Sequence, residues 1–107
     1  MVHGISNILA KQNQSHSIGT TWTTDAPFRE LRKDVLDYQK RGVLAVDMEA
    51  AAMLSVARSM DLPAVAMFSI ADQLSDGHWR MAKDLRSAQK WLSILYEAVL
   101  EFLTGKV

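Results

Sequence analysis

Four carboxylates follow short runs of β-branched or apolar residues. Asp25 comes after residues 16–24, Asp47 and Glu49 after 43–46, and Asp72 after 63–71. An ionised carboxylate accepts hydrogen bonds from paired hydroxyls, and a protonated one can act as a general acid. In open α/β sheets, ligands bind beyond the carboxyl ends of the strands, where these residues would stand. The plainer reading makes each a helix-start carboxylate held by the positive end of a helix dipole. That reading serves any one position; three strand ends carrying acids together make a binding or catalytic role competitive. His3, His16 and His78 lack metal-ligand spacing and read as surface or structural side chains. The chain has no cysteine, which excludes disulfides, thiolate zinc sites and cysteine nucleophiles.

The elements that would hold these acids follow from periodicity. Residues 5–12 suggest a short helix through Ile5, Ile8 and Leu9, and residues 16–24 read as a strand. Pro27 suits the first turn of a helix over 28–41, in which Phe28, Leu31, Val35 and Tyr38 recur every three or four residues. Gly42 sits where a left-handed cap would stop it. A strand over 43–46 precedes an alanine-rich helix over 48–60, apolar on most sides as if widely covered. The unalternating run 63–71 reads as a strand buried on both faces, and 79–103 as a long amphipathic helix. The order strand, helix, strand, helix, strand, helix predicts an α/β fold with a small, mostly parallel sheet of three strands. Its edges call for cover, by further chain or by a second copy.

With 107 residues the chain fits one small domain, and its 49 % hydrophobic and 22 % charged content is ordinary for a soluble protein. Twelve basic and twelve acidic residues cancel, leaving no footprint for nucleic acid or an anionic membrane. The longest apolar run is too short to span a bilayer, and residues 1–7 lack the features of a secretory signal. A cytoplasmic location is therefore expected.

Gly19-Thr20-Thr21-Trp22-Thr23-Thr24-Asp25-Ala26-Pro27-Phe28-Arg29-Glu30 and Gly42-Val43-Leu44-Ala45-Val46-Asp47-Met48-Glu49-Ala50-Ala51-Ala52 resemble two motifs of the nucleoside phosphorylases, the purine nucleoside and uridine phosphorylase superfamily. The 23-residue separation of Glu49 and Asp72 also resembles that of its purine-specific members. The resemblance covers about residues 16–103 and implies the C-terminal half of a three-layer αβα domain, an incomplete phosphorylase-like fold. It implies that Glu49 accepts hydrogen bonds from the ribose 2′- and 3′-hydroxyls and that Met48 packs on the sugar, though core filling explains Met48 equally. Asp47 belongs to the same ribose segment, but stands where the family has glutamate. Asp72 would be the catalytic acid, protonating purine N7 as the glycosidic bond breaks toward an oxocarbenium-like sugar. Ala71 replaces the family's serine beside that acid, and Phe28 falls in the aromatic neighbourhood that stacks on the base. Helix-core packing explains Phe28 as well. Arg80 and Arg86 bracket the position of the family's base-binding arginine.

Phosphorolysis needs inorganic phosphate as co-substrate, held in this family by an N-terminal half with a glycine-containing loop. Nothing before His16 resembles that half, and the chain has five glycines in all. The resemblance thus implies the sugar and base side of a phosphate-dependent glycosyltransferase of purine salvage, in a truncated form. Hydrolytic nucleosidase action and a non-catalytic nucleoside-binding or assembly module are the alternatives. No resident cofactor or metal is expected, and a homo-oligomer is.

Overall fold

The computed structural model describes residues 1–25, 32–74, 80–81 and 85–105. Its elements are α1 (Val2–Lys11), β1 (Thr20–Thr23), α2 (Arg32–Lys40), β2 (Val43–Asp47), α3 (Ala50–Ser59), β3 (Asp72–Gln73), β4 (Arg80–Met81) and α4 (Leu85–Thr104). They form an α/β fold with a small parallel two-stranded sheet flanked by helices. The chain divides into two compact units. A terminal unit takes the described residues of Met1–Ile18, Met67–Ser69 and Asp84–Val107, and a sheet unit takes those of Gly19–Ala66 and Ile70–Lys83.

In the terminal unit, α1 turns Ile5 and Leu9 inward, four residues apart on one face, against α4, where Ala98 is wholly buried. The approach is close: a methyl group added at Gly4 would run into the Phe102 ring. Asn13 ends α1 in the left-handed region at φ 56°. The Asn13 and Gln14 amides donate back to the carbonyls of Ala10 and Leu9 at 3.0 and 2.8 Å, satisfying the helix end. The chain is thereby reversed, and His16 returns to Ser6 at 2.6 Å. His16 Nδ1 lies 2.8 Å from the Gln14 carbonyl, which can only accept, so Nδ1 carries the proton and, in the neutral ring, Nε2 accepts from the Ser6 hydroxyl. The histidine latches the return loop to α1.

In the sheet unit, β1 and β2 pair in parallel, Thr21 opposite Ala45, Trp22 opposite Val46 and Thr23 opposite Asp47. The register slips between Thr20 and Thr21, beside the point where Gly19 gives room to the Leu44 side chain. Helix α2 packs on β2, buries Val35, and stacks Tyr38 on Trp22 with ring centroids 4.4 Å apart. Gly42, at φ 78°, provides the left-handed stop expected of it. Helix α3 closes on the same kind of turn, with Asp61 at φ 55° and the Leu62 amide bound to the Ala57 carbonyl at 2.9 Å.

Three expectations are corrected. Residues 63–71 pair with no strand, so the parallel sheet has two strands among the described residues instead of three. Part of that run is engaged elsewhere: Met67–Ser69 belongs to the terminal unit, and the Ser69 hydroxyl donates to the Ala88 carbonyl of α4 at 2.9 Å. The last helix starts at Leu85, because Arg80 and Met81 pair antiparallel with Gln73 and Asp72. Helix α3 also lacks the wide cover expected of its composition. It buries Ala50, while Met53, Leu54 and Val56 are exposed.

Candidate functional site

The parallel register brings Thr23 and Asp47 to the same end of the sheet. From there the chain runs through Met48 and Glu49 into α3. The first turn of a helix leaves its amides without partners inside the helix. Here Asp47 Oδ1 accepts from the amides of Glu49 and Ala50 at 3.0 and 2.8 Å and from the Thr23 hydroxyl at 2.8 Å. The Thr23 oxygen in turn accepts from the Ala51 amide at 3.0 Å. Two side chains from two strands thus satisfy three successive amides. The Asp47 carbonyl also accepts from the Thr24 amide at 2.9 Å, continuing the strand pairing by one residue.

Burial by itself would raise the Asp47 pKa; donation from the Ala50 amide, the Thr23 hydroxyl and the Glu49 amide, with the Thr21 hydroxyl close by, outweighs it and holds the carboxyl below its ordinary value. Thr21 acts as a nearby dipole, since Asp47 Oδ2 is buried and has no hydrogen-bond partner among the described residues. Oδ1 of Asp47 is thus engaged three times, and its Oδ2 is buried.

Glu49 differs. It is exposed, adopts a non-helical backbone (φ −130°, ψ −28°) just before α3, and its Oε2 takes the Met48 amide at 3.3 Å. Its other carboxylate oxygen accepts no hydrogen bond among the described residues, and the adjacent Met48 side chain is 48 % exposed. A solvent-facing carboxylate beside an exposed thioether can accept two donors and cover an apolar surface.

Asp72 stands elsewhere in the sheet unit. It opens β3 opposite Met81 and, with Ile70, Ala71, Gln73, Arg80 and Met81, lines an open pocket of about 260 Å³. Its place on a short antiparallel pair replaces the expected place after a third parallel strand. Arg80 therefore shares a pocket with Asp72 and Ala71, a neighbourhood that spacing along the chain did not reveal. Arg86 lies on α4 in the terminal unit. Asp25 is exposed just beyond β1, and Phe28 falls outside the described residues. The partnership of Thr23 with Asp47 went unread in the sequence; its signal was a hydroxyl residue at the end of one strand and an acid at the end of the next. Among the described residues, no three acidic or histidine side chains gather to hold a metal ion, and no helix is long and apolar enough to cross a membrane.

Residues 1–104 match the family model of the phosphorylase superfamily. The chain is 26 % identical over 101 residues to DeoD-type purine nucleoside phosphorylases of Buchnera aphidicola subsp. Acyrthosiphon pisum, strains Tuc7, 5A and APS. The match covers 94 % of this chain and 43 % of each relative, so the chain spans less than half their length. No solved structure matches the chain significantly.

Proposed function

The chain belongs to the phosphorylase superfamily, and from that premise we propose that it binds a purine nucleoside for cleavage of the N-glycosidic bond. The observation that carries the reading is the exposed Glu49 carboxylate at the fixed start of α3, next to exposed Met48. One carboxylate offers two oxygens to the two vicinal ribose hydroxyls, and Met48 covers the sugar's apolar face.

The base would lie by Asp72 and Ala71, with Arg80 on the same pocket wall and Phe28 as the stacking aromatic. Breaking the glycosidic bond sends its electron pair into the base. A proton from Asp72 to purine N7 would neutralise that charge and leave the base neutral. The ribosyl carbon is then taken by phosphate or by water. Phosphate would make the reaction phosphorolysis, as the names of the Buchnera relatives imply for those proteins. We assign cytoplasmic nucleoside salvage and self-association to the same reading.

The test is to incubate the purified protein with inosine, guanosine, adenosine and uridine, with and without phosphate. Base release that requires phosphate supports phosphorolysis, and release in its absence supports a nucleosidase. Calorimetric binding without turnover, lost in Glu49→Ala, would make the chain a nucleoside-binding module. Binding unchanged in Glu49→Ala would remove the ribose role.

A further inference from the structure

We infer that Thr23 is a positioning residue for sugar recognition, acting through Asp47 on the backbone that carries Glu49. The inference rests on the ribose reading of Glu49 and adds what holds that carboxylate in place.

The hydrogen-bond roles are fixed by chemistry. The Ala51 amide can only donate, so it occupies a lone pair of the Thr23 oxygen and leaves the hydroxyl proton for Asp47 Oδ1. Asp47 spans to amides two and three residues ahead, a reach that suits aspartate in a local side-chain-to-backbone turn. An Asp47 acting alone would tie the helix start to its own strand. The Thr23 hydroxyl ties it to β1 as well, across the register that sets Thr23 opposite Asp47. The amides of residues 49, 50 and 51 are thereby anchored to both strands.

Glu49 depends on that anchor. Among the described residues its side chain accepts one long hydrogen bond, from the neighbouring Met48 amide, so its direction is set chiefly by its backbone. That backbone lies outside the helical region and is held through its own amide. Asp47 is unsuited to touch the sugar directly, because turning it outward would break three hydrogen bonds and its other oxygen is buried. It serves the sugar from behind, and Thr23 holds it there.

The experiment compares calorimetric binding of inosine and 2′,3′-dideoxyinosine to the full chain and to Thr23→Val, Thr23→Ser and Glu49→Gln. The unsubstituted protein should prefer inosine. Thr23→Val, which keeps the shape and removes the hydroxyl, should reduce that preference about tenfold, the scale of one lost charge-assisted bond. Affinity for the dideoxy compound should stay unchanged, and Thr23→Ser should restore the preference. A merely structural threonine would weaken both ligands together. If Thr23→Val does not fold, Asp47→Asn, which keeps the side-chain size and one oxygen acceptor, carries the same expectation. A full preference for inosine in Thr23→Val, alongside its loss in Glu49→Gln, would overturn the inference and leave the ribose reading standing. A preference that survives Glu49→Gln, or one absent from the unsubstituted chain, would overturn the ribose reading and this inference with it.

Discussion

The Thr23 hydroxyl and Asp47 Oδ1 meet at 2.8 Å where two parallel strands end, and the same carboxylate oxygen receives the Glu49 and Ala50 amides. The ionised form of Asp47 is therefore part of the fold. Its folded pKa lies below the ordinary value of 3.8, so the unfolded chain binds the extra proton first as pH falls. The stability this provides is complete above 3.8 and is lost as pH drops through the folded value. Urea unfolding on the order of pH 5 down to pH 2 should show the loss, and Asp47→Asn should show a shallower one. Equal slopes for the two proteins would contradict the assignment.

At neutral pH, Asp47→Ala should destabilise the chain by about 0.5–2 kcal/mol, the usual effect of removing a helix cap. The loss should appear first as faster amide exchange at Glu49, Ala50 and Ala51, whose donors depend on Thr23 and Asp47. Exchange that stays slow at these positions would show that the helix start is held by other means.

Much of this arrangement can be read from residue order, and the limits have physical causes. The amphipathic spacing of Val35 and Tyr38, the stop at Gly42 and the apolar run before Asp47 are local signals, and the structure places α2 and β2 accordingly. The run 63–71 misled because an apolar segment becomes a strand only when a partner offers its backbone groups. Its Ser69 bonds to α4, and no described strand pairs with it. The short pairing of Asp72 with Met81 was hidden for the converse reason, since two residues on each side carry no periodicity. At the site, the acids were visible as residue types. That Asp47 faces inward while Glu49 faces outward depends on the cross-strand register, which the sequence does not display.

Glu49→Ala should weaken inosine binding by about 1.5–3 kcal/mol, the worth of hydrogen bonds to a charged group. That is roughly a ten- to hundredfold rise in the calorimetric Kd. Asp72→Asn should behave differently, keeping affinity while lowering any base release by about a hundredfold or more, because the amide has no acidic proton to give. Parallel loss of binding and turnover in both variants would argue against separate sugar and acid roles.

Gly42 offers a test free of packing effects. It sits at φ 78° with nothing within 4 Å of an added methyl group, so Gly42→Ala meets only backbone strain. The expected loss is about 1–2 kcal/mol in urea unfolding. Gly4 is the opposite case, with an ordinary backbone and the Phe102 ring against it. Gly4→Ala should lose about 1–3 kcal/mol through overpacking, with partial recovery in the double variant with Phe102→Leu.

The terminal unit draws α1 and α4 from distant parts of the sequence, and the bond from Gln12 to Glu101, 2.9 Å long, closes a separation of 89 residues. The bond from Thr23 to Asp47 closes only 24. Contacts that join distant residues form late, because the chain must surrender the freedom of the whole loop before they return anything. During synthesis the two parallel strands can therefore meet while α4 is still inside the ribosome. Ile5 and Leu9 of α1 therefore stay uncovered until α4 is made, well after the two strands can pair. That interval is when a chaperone would find this chain.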